Sequence, residues 1–277
     1  SDLLLSILVF EERDIIQVFL CRRPETNYSL RLETLIFYQV LQHRKAQAVV
    51  GFWPAAQQNL NDVTLFEDET REQQIARFCF LRQQSGKAHG VPNLSLADYI
   101  APQGSDTPDY IGGFAVTTGI GADELAKQYQ EENNDYNALM VKALADRLAE
   151  AFAELMHLRV RTEFWPYAKD EALSSTDLLD EKYQGIRPAP GYPACPEHSD
   201  KVTLFELLGI DGRIGMELTD SFAMHPAASV SGFYFAHPES RYFSVGKIDA
   251  DQVESLAQRK GLSLAAMQGL LSPNIVE

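Results

Sequence analysis

The chain has 277 residues, of which 45% are apolar and 23% charged. That is enough apolar material for a sizeable core and too much for a disordered chain. A formal net charge of −15 repels phosphate backbones and anionic lipid surfaces, which argues against nucleic-acid and membrane partners.

Taken in chain order, the apolar start from Leu3 to Phe10 is cut short by Glu11 and Glu12 and has no basic segment before it. It reads as neither a signal peptide nor a membrane span. Ile15 to Leu20 looks strand-like, and Leu30 to Leu41 has the pattern of a helix. Val49 to Pro54 reads as a buried strand stopped by its proline, and Val63 to Phe66 as a second strand. Over 69–84 the spacing of Ile75, Phe78 and Leu81 predicts a helix. Residues 85–93 read as a loop. Tyr110 to Thr117 resembles a strand whose paired Gly112 and Gly113 mark a bulge or a close backbone approach.

The clearest element is a long helix from about Tyr136 to Val160, with Val141, Leu144, Ala145, Leu148, Phe152, Leu155 and Met156 on one stripe. A second helix is expected from Ser175 to Tyr183, capped by Ser175 or Thr176. Beyond it come a proline-rich loop from Arg187 to Pro196 and a short helix from Leu204 to Leu208. Strand signals follow over Gly215 to Leu218, Ser229 to Phe235 and Tyr242 to Ile248. Two short helices broken near Gly261 close the chain. Strands and helices mix without regular alternation, so the fold class is α+β with an antiparallel or mixed sheet.

The three cysteines (Cys21, Cys79 and Cys195) are far apart and form no CxxC pair, which speaks against a disulfide framework or zinc knuckle and fits a reducing cytoplasm. The histidines show no HxH or HxxxH spacing, so no metal site is expected. There is no GxSxG, P-loop, GxGxxG or DxHxxG segment. The last absence leaves the chain without a cobalt-ligating motif of its own.

Three segments carry possible chemistry. Four prolines among residues 187–196 make a stiff loop. Within it, Arg187 offers a planar fork for a carboxylate, Gly191 a close backbone approach, and Tyr192 a flat face with a hydroxyl. Together they suit a zwitterionic ligand with an aromatic ring, although a rigid loop packed on the core would look the same. The segment from Ser229 to Phe243 reads as two aromatic strands around a turn at His237-Pro238-Glu239-Ser240, for which core packing is the plainer account. Asp146, Glu150 and Glu154 repeat at fourfold spacing beside the long helix's apolar stripe. Their carboxylates would favour a sulfonium cation nearby, and equally would make an ordinary solvated face.

The run from Tyr183 to Pro196 resembles the signature of the activation domain of cobalamin-dependent methionine synthase. The likeness continues through Met140 to Glu154, Glu217 to Gly232, Phe235 to Ser240, Leu96 to Pro102, Asp109 to Gly112 and Gly51 to Ala55, covering roughly residues 46–274. It implies one C-shaped α+β domain over 1–277, with a central twisted antiparallel sheet flanked by helices and a divergent region at 1–45. It also implies binding of S-adenosylmethionine and donation of its methyl group for reductive methylation of cob(II)alamin held by another domain, with an electron from flavodoxin or a flavoprotein reductase. By motif, Arg187 would hold the methionyl carboxylate, Ala189 and Tyr192 would surround the ligand, Tyr242 and Phe243 would line the site, and Glu150 and Glu181 would be its acidic groups. The family's N-terminal Asp-Trp-x-Pro-Phe-Phe segment, whose aspartate also touches the ligand, has no counterpart in residues 1–45. A docking or regulatory module without catalysis, and a free-standing methyltransferase, are the alternative readings.

Overall fold

The computed structural model describes residues 6–9, 46–210 and 213–276. The strand- and helix-like runs expected at 15–20 and 30–41 lie outside them. The framework is an antiparallel sheet of β1 (Ser6–Val9), β2 (Gln47–Gln58), β3 (Asp62–Phe66), β4 (Gln74–Cys79), β5 (Tyr110–Thr117) and β8 (Ser229–Tyr234). Its order is β4-β3-β2-β5-β8, with β1 also pairing β2. A separate two-stranded ribbon joins β6 (Glu217–Leu218) to β7 (Met224–His225).

Both faces of the sheet are covered over β2 and β5, which is why those strands read as near-continuous apolar runs. Val49, Trp53, Ile111, Ala115 and Phe233 pack on one face against Leu204, Phe205 and Leu208 of the helix α4 (Asp200–Leu208). Their alternates Ala48, Val50, Phe52, Phe114, Val116 and Tyr234 meet the long helix α2 (Asp135–Arg159) through Val141, Leu144, Leu148, Phe152 and Met156. Burying one such side chain contributes about 1.5–3 kcal/mol. Asn134 caps α2 by accepting a hydrogen bond from the Asn137 backbone, and after a π-type turn at Val160–Phe164 the chain leaves the helix at Trp165-Pro166. A helix not foreseen from the sequence, α1 (Ala122–Glu131), precedes α2. The two short helices expected at the end of the sequence are α5 (Ala250–Lys260) and α6 (Leu264–Leu271), which bury Val253, Leu256, Met267 and Leu271 against Cys79 and Leu81. Gly261 ends α5 in the left-handed conformation, as its position after the periodic run suggested.

Several expectations are corrected. Pro54 does not stop β2. Ala55 donates to the Asp109 carbonyl at 2.9 Å, so alternation turns the Pro54 nitrogen toward the opposite edge. It falls there between the end of β1 pairing at Val50 and the start of β3 pairing at Ala55, where no ladder donor is required. The segment around Ile75, Phe78 and Leu81 is the strand β4. Its first residues, Ile75 included, are largely exposed, while from its end onward Phe78 and Phe80 pack with one core cluster and Cys79 and Leu81 with another, so the threefold spacing is coincidental. Tyr242 to Ile248 forms no strand, apart from a single bridge between Ile248 and Ile275, and Gly246 breaks the run with φ +74. The helix expected over Ser175 to Tyr183 is the short α3 (Ser175–Leu179), capped by Ser174 and Asp177 in reciprocal bonds. Gly112 and Gly113 mark close approach: a Cβ would lie 2.9 Å from the Tyr234 Cβ at the first and 2.7 Å from Leu204 at the second. No helix among the described residues is long and apolar enough to cross a membrane.

Candidate functional site

The proline-rich loop runs along the outer edge of β8. Ile186 and Phe235 exchange backbone hydrogen bonds at 2.9 and 3.0 Å, and Phe233 donates to the Pro188 carbonyl at 2.9 Å. Proline suits such an edge because only its carbonyl is asked to bond. The close pairing needs Gly232, since a Cβ there would lie 2.6 Å from the Pro188 oxygen. Beyond Pro188 the loop folds on itself. Tyr192 donates to Ala189 at 3.1 Å, Gly191 to Cys195 at 2.8 Å, and the Cys195 thiol to the Ala189 carbonyl at 3.0 Å. Gly191 has φ +96, and the His198 ring occupies the space where its Cβ would be. The close approach at this glycine is therefore made by the protein itself. Val245 donates to the Pro193 carbonyl at 2.8 Å, which lays the extended segment carrying Tyr242 and Phe243 against the loop.

These contacts frame a cavity of about 500 Å³ lined by Arg187, Ala189, Tyr192, Tyr242, Phe243, Glu150 and Glu181, with Phe114 of β5 and Val230 of β8 among its other walls. The seven residues matched by motif therefore share one cavity, which Gly191, Asp146 and Glu154 do not line. Glu150 enters from α2. Glu181 follows α3 with φ +54, a left-handed conformation that costs a non-glycine residue about 1–2 kcal/mol. Tyr192 is exposed, at 56%, as are Glu181 and Pro193. Burial and then Glu150 push the Tyr192 phenol pKa up, so it stays a neutral hydroxyl.

Arg187 is the best-held group. Its Nη2 donates to Glu154 at 3.0 Å, its Nη1 to the Tyr183 hydroxyl at 3.3 Å, and its backbone N–H to the Tyr242 hydroxyl at 3.0 Å. Burial disfavours its charge, but the carboxylate of Glu154 together with the oxygens of Tyr242, Tyr183 and Tyr234 outweighs this, and the guanidinium stays protonated. Behind it, the buried Arg161 pairs with Glu171 at 2.8 Å and lies 4.4 Å from the centre of the Tyr183 ring. His157 is sandwiched between Tyr183 and Tyr234. Burial, then Arg161 and Arg187, hold its pKa well below the usual range, so it is neutral.

The acidic row on α2 thus divides. Asp146 is exposed, Glu150 lines the cavity, and Glu154 is buried as the partner of Arg187. The reading of Glu154 as part of a solvated face is corrected. Its one-turn offset from Glu150, beside Phe152 and Met156 of the apolar stripe, was the available signal. Tyr183, Phe114 and Val230 were likewise not singled out, because each reads as ordinary core. The walls carry one cation, two carboxylates and flat aromatic faces, a set suited to gripping a charged ligand. No group of three or more metal-binding side chains occurs among the described residues.

A family model described as vitamin B12 dependent methionine synthase, activation domain, matches residues 32–261. The chain belongs to this family. A solved structure, the MetH reactivation domain bound to AdoHcy, superposes with a TM-score of 0.89 at 42% identity, covering 100% of this chain and 92% of that one. The mixed sheet-and-helix architecture described above is therefore that of a methionine synthase activation domain. The resemblance carried by the loop from Tyr183 to Pro196 extends to the whole fold.

Proposed function

We propose that this activation domain binds S-adenosylmethionine in the cavity between the proline-rich loop, α2 and the Tyr242-Phe243 segment, and presents it for reductive methylation of cob(II)alamin carried by another domain of methionine synthase. One observation carries the reading: the residues matched by motif, drawn from four separate parts of the chain, converge on one cavity with the Arg187 guanidinium in its wall. The binding of AdoHcy by the similar MetH domain supports it.

The residue chemistry fits the ligand. Arg187 keeps donors for a carboxylate after bonding Glu154 and Tyr183, because a guanidinium has five. The rings of Tyr242, Phe243 and Tyr192 offer flat apolar walls to an adenine, and Glu150 and Glu181 place negative charge where a sulfonium and an ammonium are to be held. The bound ligand supplies the methyl group. The domain's residues supply its placement, which lets an in-line transfer proceed without a protein base. The whole chain acts as one cytoplasmic unit of the enzyme, and flavodoxin or a flavoprotein reductase delivers the electron. The acidic surface gives a docking face for that partner. Titration calorimetry with S-adenosylmethionine is the test. Saturable one-to-one binding that Arg187→Ala weakens is expected, and a wild-type chain that takes up no ligand overturns the reading.

A further inference from the structure

Arg187 cannot hold a ligand's carboxylate unless its guanidinium is itself held. Its backbone is fixed by the pairing of Ile186 and Pro188 with β8, and by the bond to the Tyr242 hydroxyl. Its head is fixed from the other side, by a residue of a different element. Glu154 stands one helical turn beyond Glu150 on α2, buried to 4% side-chain exposure, with its carboxylate 3.0 Å from Nη2. Tyr183 takes Nη1 at 3.3 Å. The fork thus meets two anchors and turns what remains toward the cavity.

We infer that Glu154 is a positioning residue of the ligand site: without touching the ligand, it orients Arg187 and so sets the preference for ligands that carry an amino-acid carboxylate. This rests on the reading of the cavity as the S-adenosylmethionine site. Glu150 and Glu154 divide the work along one helix face, the first as cavity wall and the second as the anchor behind it. A charge-assisted bond of this kind is short and directional, and moving its acceptor by one methylene moves the donor plane with it. An arginine freed from its buried anchor regains rotamer freedom and must be ordered again each time a ligand binds.

The experiment compares two ligands on the full chain by titration calorimetry. S-adenosylhomocysteine has the amino-acid end, and 5′-methylthioadenosine shares the adenosine and thioether but lacks that end. The variants are Glu154→Leu, Glu154→Asp, Arg187→Met, and Arg187→Met combined with Glu154→Leu. Glu154→Leu is expected to weaken S-adenosylhomocysteine about tenfold or more and to leave 5′-methylthioadenosine within twofold of wild type. Glu154→Asp keeps the charge and shifts the anchor, and is expected to lose about fivefold for the first ligand alone. In the Arg187→Met background, adding Glu154→Leu is expected to change neither ligand by more than twofold, because the effect passes through Arg187. Glu154→Asp and the double variant keep the test intact if Glu154→Leu does not fold, since neither leaves a buried cation without a counter-charge or an apolar partner. The inference is overturned by Glu154 variants that bind both ligands as wild type does. It is equally overturned by equal losses for the two ligands, or by losses that add to those of Arg187→Met. A wild-type chain that binds neither ligand overturns the site reading together with the inference. Wild-type binding with a selective loss in Arg187→Met and none in the Glu154 variants overturns the inference alone.

Discussion

The hydroxyl of Tyr242 accepts a hydrogen bond from the backbone N–H of Arg187 at 3.0 Å, with the Tyr183 hydroxyl 3.5 Å away. One aromatic residue therefore does two jobs, its ring walling the cavity while its oxygen ties down the loop on the far side. Tyr242→Phe separates them. The ring stays, and the N–H of Arg187 loses its partner, at about 1–3 kcal/mol of stability. Denaturant titration should show the midpoint falling with an unchanged slope, and calorimetry a several-fold weaker hold on S-adenosylmethionine.

Arg187→Ala removes the fork proposed for the carboxylate. Affinity for S-adenosylmethionine should drop by about 1.5–3 kcal/mol, the range for hydrogen bonds to charged groups. Stability should fall as well, by about 3–5 kcal/mol, because one side of a buried ion pair is removed. Unchanged affinity by calorimetry would remove Arg187 from the site.

His157 supplies a pH dependence with a definite sign. Its folded pKa lies well below the ordinary 6.5, owing to burial first and then to Arg161 and Arg187. Below pH 6.5 the unfolded chain takes up a proton that the folded chain refuses, so the contribution of His157 is complete above 6.5 and is lost as pH falls. The slope approaches about 1.4 kcal/mol per pH unit for one proton. Urea midpoints measured from pH 7 to pH 5 should decline, and His157→Phe should flatten that decline. An identical slope in the variant would contradict the assignment.

Gly232→Ala tests how closely the loop must approach β8. The added methyl would lie 2.6 Å from the Pro188 carbonyl oxygen and 3.2 Å from the Ala189 Cα. Backbone on both sides leaves nothing flexible to yield, so a loss of about 1–3 kcal/mol is expected. Ligand affinity should fall with it, because Ala189 and Arg187 ride on the displaced segment. Thermal melts and calorimetry on the same sample check both.

The site was legible in the sequence to the degree that its residues sit in an unusual run. The loop from Arg187 to Pro196 stands out by composition and by its family likeness, and the structure gathers Glu150, Glu181, Tyr242 and Phe243 around it. Glu154 stayed hidden because burial of a carboxylate depends on a partner 33 positions away. A helix wheel cannot display that pairing. The same limit applies to β4: spacing alone does not separate a strand whose end is buried on two sides from a helix, and only the packing of Phe78 and Cys79 on opposite sides resolves it. Tyr242 to Ile248 has a strand's composition yet pairs with no ladder: Val245 bonds the proline loop, Ile248 bonds the segment near Asn274, and Gly246 between them is left-handed at φ +74. The long helix α2 was read nearly to its ends because its stripe is long and its periodicity strict.

The bonds from Ile186 and Pro188 to β8 have a second effect. They seal what would otherwise be a raw, adhesive margin of the sheet, where another chain can add itself strand by strand. A change that pulls the loop's backbone from β8 breaks that seal and displaces Arg187 with it. If the cavity holds the methyl donor as proposed, weakened uptake and clumping of the polypeptide are expected together in variants that displace the loop, and light scattering measured beside ligand affinity checks it.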